Sequence, residues 1–159
     1  FSYGAERFFS ACRETGIDGL ILPDLPFEEK EEVDVVASRY GIDLISMIAP
    51  TSKERIRKIA KGAKGFLYVV SSMGVTGERT NITTDIGGML KEIRSVSSVP
   101  AAVGFGIHTP DQAAEISKTA DGVIVGSAVV KLIEKYGSHA GGHLYTYVRM
   151  MKEAVSHSE

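Results

Sequence analysis

The sequence predicts an α/β protein with a parallel sheet, and three observations support this fold class. Short apolar runs of strand length alternate with helix-period segments through most of the 159 residues. The runs Leu20-Ile21-Leu22 and Val123-Ile124-Val125 are apolar at every position, which is typical of strands that helices cover on both faces. Glycines follow several runs at their C-terminal ends. These features predict about five βα units in a single domain, residues 1–159.

Composition excludes several protein classes. Hydrophobic residues make up 43% and charged residues 24% of the chain, as in an ordinary globular protein. The formal net charge of -2 indicates neither a nucleic-acid nor a membrane partner, and no stretch approaches the roughly 20 apolar residues that span a bilayer. The single cysteine, Cys12, has no internal disulfide partner, so we expect a reducing compartment, the cytoplasm. The chain opens on Phe1 without a signal-peptide pattern, and we expect a fragment of a longer protein.

In the first half, the predicted order is helix 4–15, strand 17–22, helix 27–40, strand 43–49, a helix capped by Thr51 or Ser52, and strand 65–72. The first helix is indicated by a stripe at i, i+3, i+4 and i+7 that consists of Ala5, Phe8, Phe9 and Cys12. Gly16 is placed to end this helix. Cys12 lies on the stripe, and we expect it in the core rather than as a nucleophile.

In the second half, the predicted order is a polar loop 73–84, a helix marked by Ile86, Met89, Leu90 and Ile93, strand 99–106, a helix from Thr109, strand 122–125, a short helix from Gly126 to about Gly137, and a last helix. Thr109, Pro110 and Gln112 form the pattern of a capping box with proline at the first helical position. We expect Gly141-Gly142 to separate the last two helices. The apolar face of the last helix is predicted to carry Leu144, Tyr147, Val148, Met151 and Val155.

Five βα units fit either an open doubly wound sheet or part of a (β/α)8 barrel. A whole barrel takes about 250 residues, and one unit takes roughly 30, so this chain would supply about five-eighths of a barrel. A partial barrel leaves two strand edges open to pairing with another chain. Length and pattern alone leave this choice open.

Glycines after the last two strands predict an anion site. Gly104-Phe105-Gly106 ends the fourth strand, and Gly126-Ser127 ends the fifth and begins a helix. Glycine lets backbone N–H groups approach a ligand, and a helix N-terminus attracts anions. In (β/α)8 barrels, the loops after strands 7 and 8 and a short extra helix commonly hold phosphate. Residues 74–80 lack the ending of a nucleotide P-loop, and we interpret them as a lid over the ligand.

Other candidate residues carry weaker signals. Asp24 ends a strand where barrel enzymes hold catalytic groups, but it equally suits capping of the turn that follows. His139 and His143 have the i, i+4 spacing of metal ligands, yet the glycines between them argue against a continuous helix and a metal site. Tyr68 and Phe105 lie on or beside strands and fit either a flat aromatic substrate or simple packing.

Several segments together resemble the tryptophan synthase alpha chain family. They are Leu22-Pro23-Asp24-Leu25-Pro26 with Glu28-Glu29, Ala49-Pro50-Thr51-Ser52, residues 65–71, residues 74–77, residues 103–107 with Thr109-Pro110, and residues 121–128. They occur in the family's order and spacing and cover essentially the whole chain. The resemblance implies a (β/α)8 TIM barrel, of which this chain would form the part from the helix before the fourth strand onward. It would be a partial barrel of about five parallel βα units plus a C-terminal helix.

The resemblance also implies an activity, a partner and site residues. The family is a carbon–carbon lyase of tryptophan biosynthesis that cleaves indole-3-glycerol phosphate to indole and glyceraldehyde 3-phosphate. The alpha chain needs no cofactor, and its implied partner is a pyridoxal-phosphate beta chain in an alpha2beta2 complex, which the Asp24 segment would face. The matching positions are Gly77, Gly106, Gly126 and Ser127 at the phosphate, Tyr68 and Phe105 around the glycerol and indole, and Thr76 as the lid threonine.

The resemblance leaves out the catalytic carboxylates. The family's acid–base glutamate and its indole-orienting aspartate lie before anything that matches Phe1. General acid–base groups commonly contribute about 10²–10⁴-fold in rate, so we expect no turnover from this chain alone. Two alternatives remain: another phosphate-binding barrel of the indole-glycerol-phosphate synthase or phosphoribosyl isomerase type, and a non-catalytic half-barrel that docks on a partner chain.

Overall fold

The structure, a computed structural model, describes residues 3–70, 85–104 and 106–156. Its strands are β1 (Gly19–Ile21), β2 (Asp43–Ile48), β3 (Leu67–Val70), β4 (Ala101–Gly104) and β5 (Gly122–Ile124). Its helices are α1 (Ala5–Glu14), α2 (Lys30–Arg39), α3 (Lys53–Lys61), α4 (Ile86–Arg94), α5 (Pro110–Ser117), α6 (Ser127–Tyr136) and α7 (Ala140–Ser156). The described helices therefore alternate with the strands as the sequence predicts.

Strand order decides between the two architectures. Each described strand pairs in parallel with the next in chain order, β1-β2-β3-β4-β5, without a reversal. A doubly wound sheet reverses its strand order at a switch point, whereas a (β/α)8 barrel winds in one direction. The structure is therefore a half-barrel, and the implied partial barrel is confirmed.

Helix starts follow the capping chemistry of the sequence. The Ser52 side chain accepts a hydrogen bond from the Arg55 amide at the start of α3. At α5, the Thr109 hydroxyl accepts from the Gln112 amide, and the Gln112 side chain accepts from the Thr109 amide. The predicted capping box is thus confirmed. Gly16, with φ +76°, follows the end of α1 in a left-handed conformation that glycine readily adopts.

The core lies between the sheet and its helices. Its fully buried large side chains are Ile48, Leu67, Leu90, Ile93, Val69 and Val103. A second, smaller cluster joins α1 and α2 to the first two strands and includes Phe9, Cys12 and Leu44. Cys12 is 3% exposed, which confirms its expected place in the core.

The expectation that helices and sheet bury both strand faces is wrong for the inner face. Along β2, Leu44, Ser46 and Ile48 are buried on the helix side, whereas Ile45 and Met47 are only half-buried. On β1, Ile21 pairs with Ile45 and is 40% exposed. Barrel interiors are filled by side chains from strands on opposite sides. Five strands do not close a barrel, so the inner face of this half-barrel is left partly open.

The predicted break at Gly141-Gly142 is also wrong. Helix α7 begins at Ala140 and runs through both glycines. The chain turns earlier, at Gly137, which has φ +52° and opens a short 3-10 turn. Glycine costs a helix only about 1 kcal/mol, so packing can override it. Of the predicted apolar face of α7, Met151 is buried, but Val148 is 53% exposed.

No helix of the described residues combines the length and the apolar character needed to cross a membrane.

Candidate functional site

A cleft of about 620 Å³ opens toward the C-terminal ends of β3, β4 and β5. It brings together four residues that the sequence singles out, namely Tyr68, Gly106, Gly126 and Ser127. The first belongs to β3, the second follows β4, and the last two join β5 to α6. Because parallel strands end at the same edge of the sheet, loops that are far apart in sequence meet here.

The start of α6 supplies backbone donors to this cleft. Side chains of Ser52, Asp85 and Thr109 cap α3, α4 and α5, whereas no side chain caps α6, as is also the case for α1 and α2. The Gly126 carbonyl accepts the first helical hydrogen bonds, at 2.9 Å from the Val129 amide and 3.2 Å from the Val130 amide. The amides that precede these have no partner within an α-helix. Together with the positive end of the helix dipole, they favour an anion at this position.

The loop after β4 is held in place from both sides. Gly106 has φ +75°, and a Cβ built on it would meet nothing within 4 Å. The backbone amide of His108 donates to the Gln112 side chain at 2.9 Å, and the Tyr147 hydroxyl donates to the His108 carbonyl at 3.0 Å. Burial raises the pKa of Tyr147, which keeps its hydroxyl protonated as a donor. The loop is therefore fixed to α5 and α7.

The His108 ring is also oriented by this loop. Its Nδ1 lies 2.7 Å from the Gly106 carbonyl oxygen. A carbonyl only accepts hydrogen bonds, so we assign the proton to Nδ1. Nε2 is then left for a ligand or solvent on the other side of the ring.

Tyr68 occupies the floor of the cleft because Gly104 makes room for it. A Cβ on Gly104 would stand 2.6 Å from the Tyr68 hydroxyl oxygen. The sequence indicates Gly104 only as part of a phosphate-binding turn. In the structure, the Tyr68 ring packs against the backbone of Gly104.

Among the described residues that line the cleft, the charged side chains are those of Lys131 and Lys135 on α6, which the sequence reasoning missed. The two lysines follow Ser127 by four and eight residues, and residues at this spacing share one face of a helix. This spacing could have indicated them from the sequence. Lys135 Nζ lies 5.0 Å from the centroid of the Tyr136 ring, which stacks on His143 at 3.6 Å.

Asp24 lies apart from this cleft. It is exposed and lines a separate groove of about 430 Å³, together with Tyr3, Phe8, Leu22 and Pro23 among others. Phe8 is 40% and Leu22 is 36% exposed, so the groove presents an apolar surface beside a carboxylate. A catalytic role beside the α6 amides does not fit this position.

Three candidate residues, Thr76, Gly77 and Phe105, lie outside the described residues. The lid interpretation of residues 74–80 lies outside them as well. The roles that the family resemblance implies for these positions stay predictions.

Comparison with known proteins agrees with the geometry. The family model "Tryptophan synthase alpha chain" matches residues 1–156. The tryptophan synthase alpha chain of Lacticaseibacillus casei is 46% identical over 155 residues, covering 98% of this chain and 58% of the relative. That of Geobacillus kaustophilus is 51% identical over 132 residues, covering 83% of this chain and 49% of the relative.

Solved structures show the same relationship. A chain of the Pyrococcus furiosus tryptophan synthase a2b2 complex matches with a TM-score of 0.84 and 31% identity, over 96% of this chain and 62% of that chain. The alpha chain from Legionella pneumophila matches with a TM-score of 0.80 and 33% identity, over 98% and 58%. The chain thus spans about half to three-fifths of the length of these relatives. By its sequence, its singly wound half-barrel and its near-complete match to the family model, this chain belongs to the tryptophan synthase alpha chain family.

Proposed function

We propose that this chain takes part in the cleavage of indole-3-glycerol phosphate to indole and glyceraldehyde 3-phosphate, and that it holds the phosphate end of the substrate. The observation that carries the proposal is the meeting of the uncapped start of α6 with the Gly106 loop in one cleft beside Tyr68. Family membership supplies the reaction. The cleft supports a phosphate ester as the group that is bound.

The phosphate is bound by backbone N–H groups of Gly106, Gly126 and Ser127, and by Gly77 through the family resemblance. At Gly106 and Gly126 a Cβ would meet nothing within 4 Å, so the space that a ligand needs is not filled by the protein. Ser127 adds a hydroxyl that can donate to a phosphate oxygen. Fixed amides at a helix start bind an anion without reorganisation.

The rest of the substrate extends from the phosphate-binding amides along the inner face of the sheet. Tyr68 lies on that face, and its ring is positioned to contact the glycerol or the indole. The family resemblance adds Phe105 around the indole and Thr76 as the lid threonine that orients the catalytic aspartate. These side chains orient the substrate and exclude water.

Proton transfer needs groups that the described cleft does not provide. The bond that breaks joins indole carbon 3 to the glycerol side chain, while a proton leaves the adjacent hydroxyl and another reaches carbon 3. No Asp or Glu is among the described residues that line the cleft. We propose that the acid–base carboxylates come from protein outside residues 1–159, and that these residues alone have no turnover.

We also propose that the groove around Asp24 faces a tryptophan synthase beta chain. Its exposed Phe8 and Leu22 offer apolar area, and Asp24 offers a charge for pairing. The continuous sheet supports the proposal that residues 1–159 form one domain. The buried Cys12, which forms no disulfide, supports the proposal of a cytoplasmic location.

Calorimetry with glyceraldehyde 3-phosphate tests the phosphate site. Gly126→Asp puts a carboxylate at the start of α6 and is expected to abolish binding. Gly62→Asp makes the same charge change at the end of α3, where a Cβ meets nothing within 4 Å, and should bind like the wild type. Unchanged affinity in Gly126→Asp would remove the phosphate site from this cleft. Steady-state cleavage by the purified chain would contradict the proposed absence of the acid–base groups.

A further inference from the structure

We propose that Lys131 is a side-chain ligand for the phosphate ester, which draws the dianion toward the backbone amides at the start of α6. The inference rests on the proposed function and deepens it. It adds a charged side chain to a site whose other described donors are mainly backbone N–H groups.

The charge of the cleft supports this role. Both lysines that line it are on α6, and the described lining contains no carboxylate that would neutralise them. A cleft with charge of one sign concentrates ligands of the opposite sign. The two lysines therefore attract anions to the cleft.

Helix geometry brings Lys131 to the correct side. It follows Ser127 by four residues in α6, so the two residues lie on the same face, one turn apart. Side chains of a helix lean toward its N-terminus. The side chain of Lys131 can therefore reach the start of α6, where Gly126 and Ser127 also line the cleft.

Lys131 is exposed, and its ammonium group is available to a ligand. Within residues 3–70, 85–104 and 106–156 it forms neither a hydrogen bond nor an ion pair. Lys135, by contrast, lies over the Tyr136 ring. A cation one turn from a helix N-terminus also gains nothing from the helix dipole. A ligand anion at the start of α6 is the partner that this ammonium group lacks.

Charge-removing and charge-keeping variants test the role. Lys131→Gln should bind inorganic phosphate and glyceraldehyde 3-phosphate roughly tenfold more weakly at low salt, as expected for the loss of one charge-assisted hydrogen bond between an ammonium group and a phosphate oxygen. Lys131→Arg keeps the charge and should stay within about twofold of wild type. Lys61→Gln makes the same charge change in the last turn of α3, at the opposite end of the strands, and should have no effect.

Ionic strength separates an electrostatic role from a structural one. Titrations by calorimetry at about 20 mM and about 500 mM salt should show the gap between wild type and Lys131→Gln shrinking at high salt, where screening is strong. Equal thermal midpoints would show that the variant folds.

The outcomes distinguish the two proposals. If Gly126→Asp abolishes binding and Lys131→Gln binds like wild type at low salt, the role of Lys131 is overturned and the phosphate site stands. A gap that persists unchanged at high salt, or an equal loss in Lys61→Gln, also overturns it. If the wild-type chain binds neither probe, both proposals are wrong.

Discussion

The ring of Tyr68 lies directly against the backbone of Gly104. A Cβ atom at Gly104 would stand 2.6 Å from the tyrosine Oη, 2.8 Å from Cζ and 2.9 Å from Cε1. Carbon atoms in contact normally stay more than 3.4 Å apart, so no other residue fits at this position while the ring keeps its place. The position of the Tyr68 ring, which lines the cleft, therefore depends on the absence of a side chain at Gly104.

Gly104→Ala is expected to push the Tyr68 ring out of its place and to destabilise the chain by about 1–3 kcal/mol, the usual cost of overpacking. Tyr68→Leu removes the ring atoms that clash, so Gly104→Ala should cost much less in that background. A double-mutant cycle by urea unfolding measures the coupling. Additive effects of the two substitutions would show that the contact is not the reason for the glycine.

Gly141→Ala is expected to stabilise the chain by about 0.5–1 kcal/mol, because alanine favours a helix and the new methyl group meets nothing within 4 Å. Gly137→Ala serves as the matched comparison. Its φ of +52° strains any other residue, so this change should destabilise instead. Thermal unfolding of both variants gives the signs. Destabilisation by Gly141→Ala would contradict a continuous α7.

Thr109→Ala removes the cap of α5 and should cost about 1 kcal/mol of stability. Because Gln112 of the same capping box also holds the His108 amide, the variant should weaken phosphate binding as well. Ser52→Ala removes the comparable cap of α3, which does not line the cleft, and should cost a similar amount of stability while leaving affinity unchanged. Urea unfolding and phosphate titration of both variants check this. Equal phosphate affinities in the two variants would show that the capping box does not position the loop after β4 for the ligand.

Glu92 should stabilise the fold above its ordinary pKa of 4.5 and lose that contribution as the pH falls. Its carboxylate is 12% exposed and lies 3.1 Å from Lys53 Nζ and 2.6 Å from Arg57 Nη2. The hydrogen bond from Lys53 has the largest effect and lowers the pKa of Glu92; burial opposes it, and the hydrogen bond from Arg57 lowers the pKa further. Between the lowered pKa of the folded state and 4.5, the folded state has released a proton that the unfolded state still holds. Stability therefore rises with pH over this range. Glu92→Gln should be less stable than wild type at neutral pH, and the difference should shrink below pH 4.5. A difference that does not change with pH would contradict the ion pair.

Local signals predicted most elements of the fold. The caps at Ser52 and Thr109 depend on hydrogen bonds within four residues, and the burial of Phe9 and Cys12 follows from helical spacing. Such features need no knowledge of distant residues. Their positions in the sequence are therefore enough to predict them.

The features that sequence reasoning missed depend on contacts across the fold. The helix through Gly141 is stabilised by packing of α7 on α5 and α6, which a propensity does not contain. The contact of the Tyr68 ring with Gly104 joins neighbouring strands that are far apart in sequence. Ile45 and Met47 are half-buried because five strands do not close a barrel over the inner face of the sheet. The pattern of a single strand does not reveal how many strands the sheet has.

The candidate site was predicted only in part for the same reason. Gly126 and Ser127 are adjacent in sequence to the helix that they start, so the pattern indicates their role. Lys131 acquires meaning only when the Gly106 loop is seen to share its cleft.

Strand order also bears on how the chain acquires its shape during synthesis. Each described strand hydrogen-bonds only to its predecessor and successor, so no late segment has to insert between two earlier ones. Each strand pairs with one that is separated from it by a single described α-helix, so each pairing can form once the next βα unit is complete. Each new βα unit can dock as soon as it leaves the ribosome, and the growing edge serves as the template for the next.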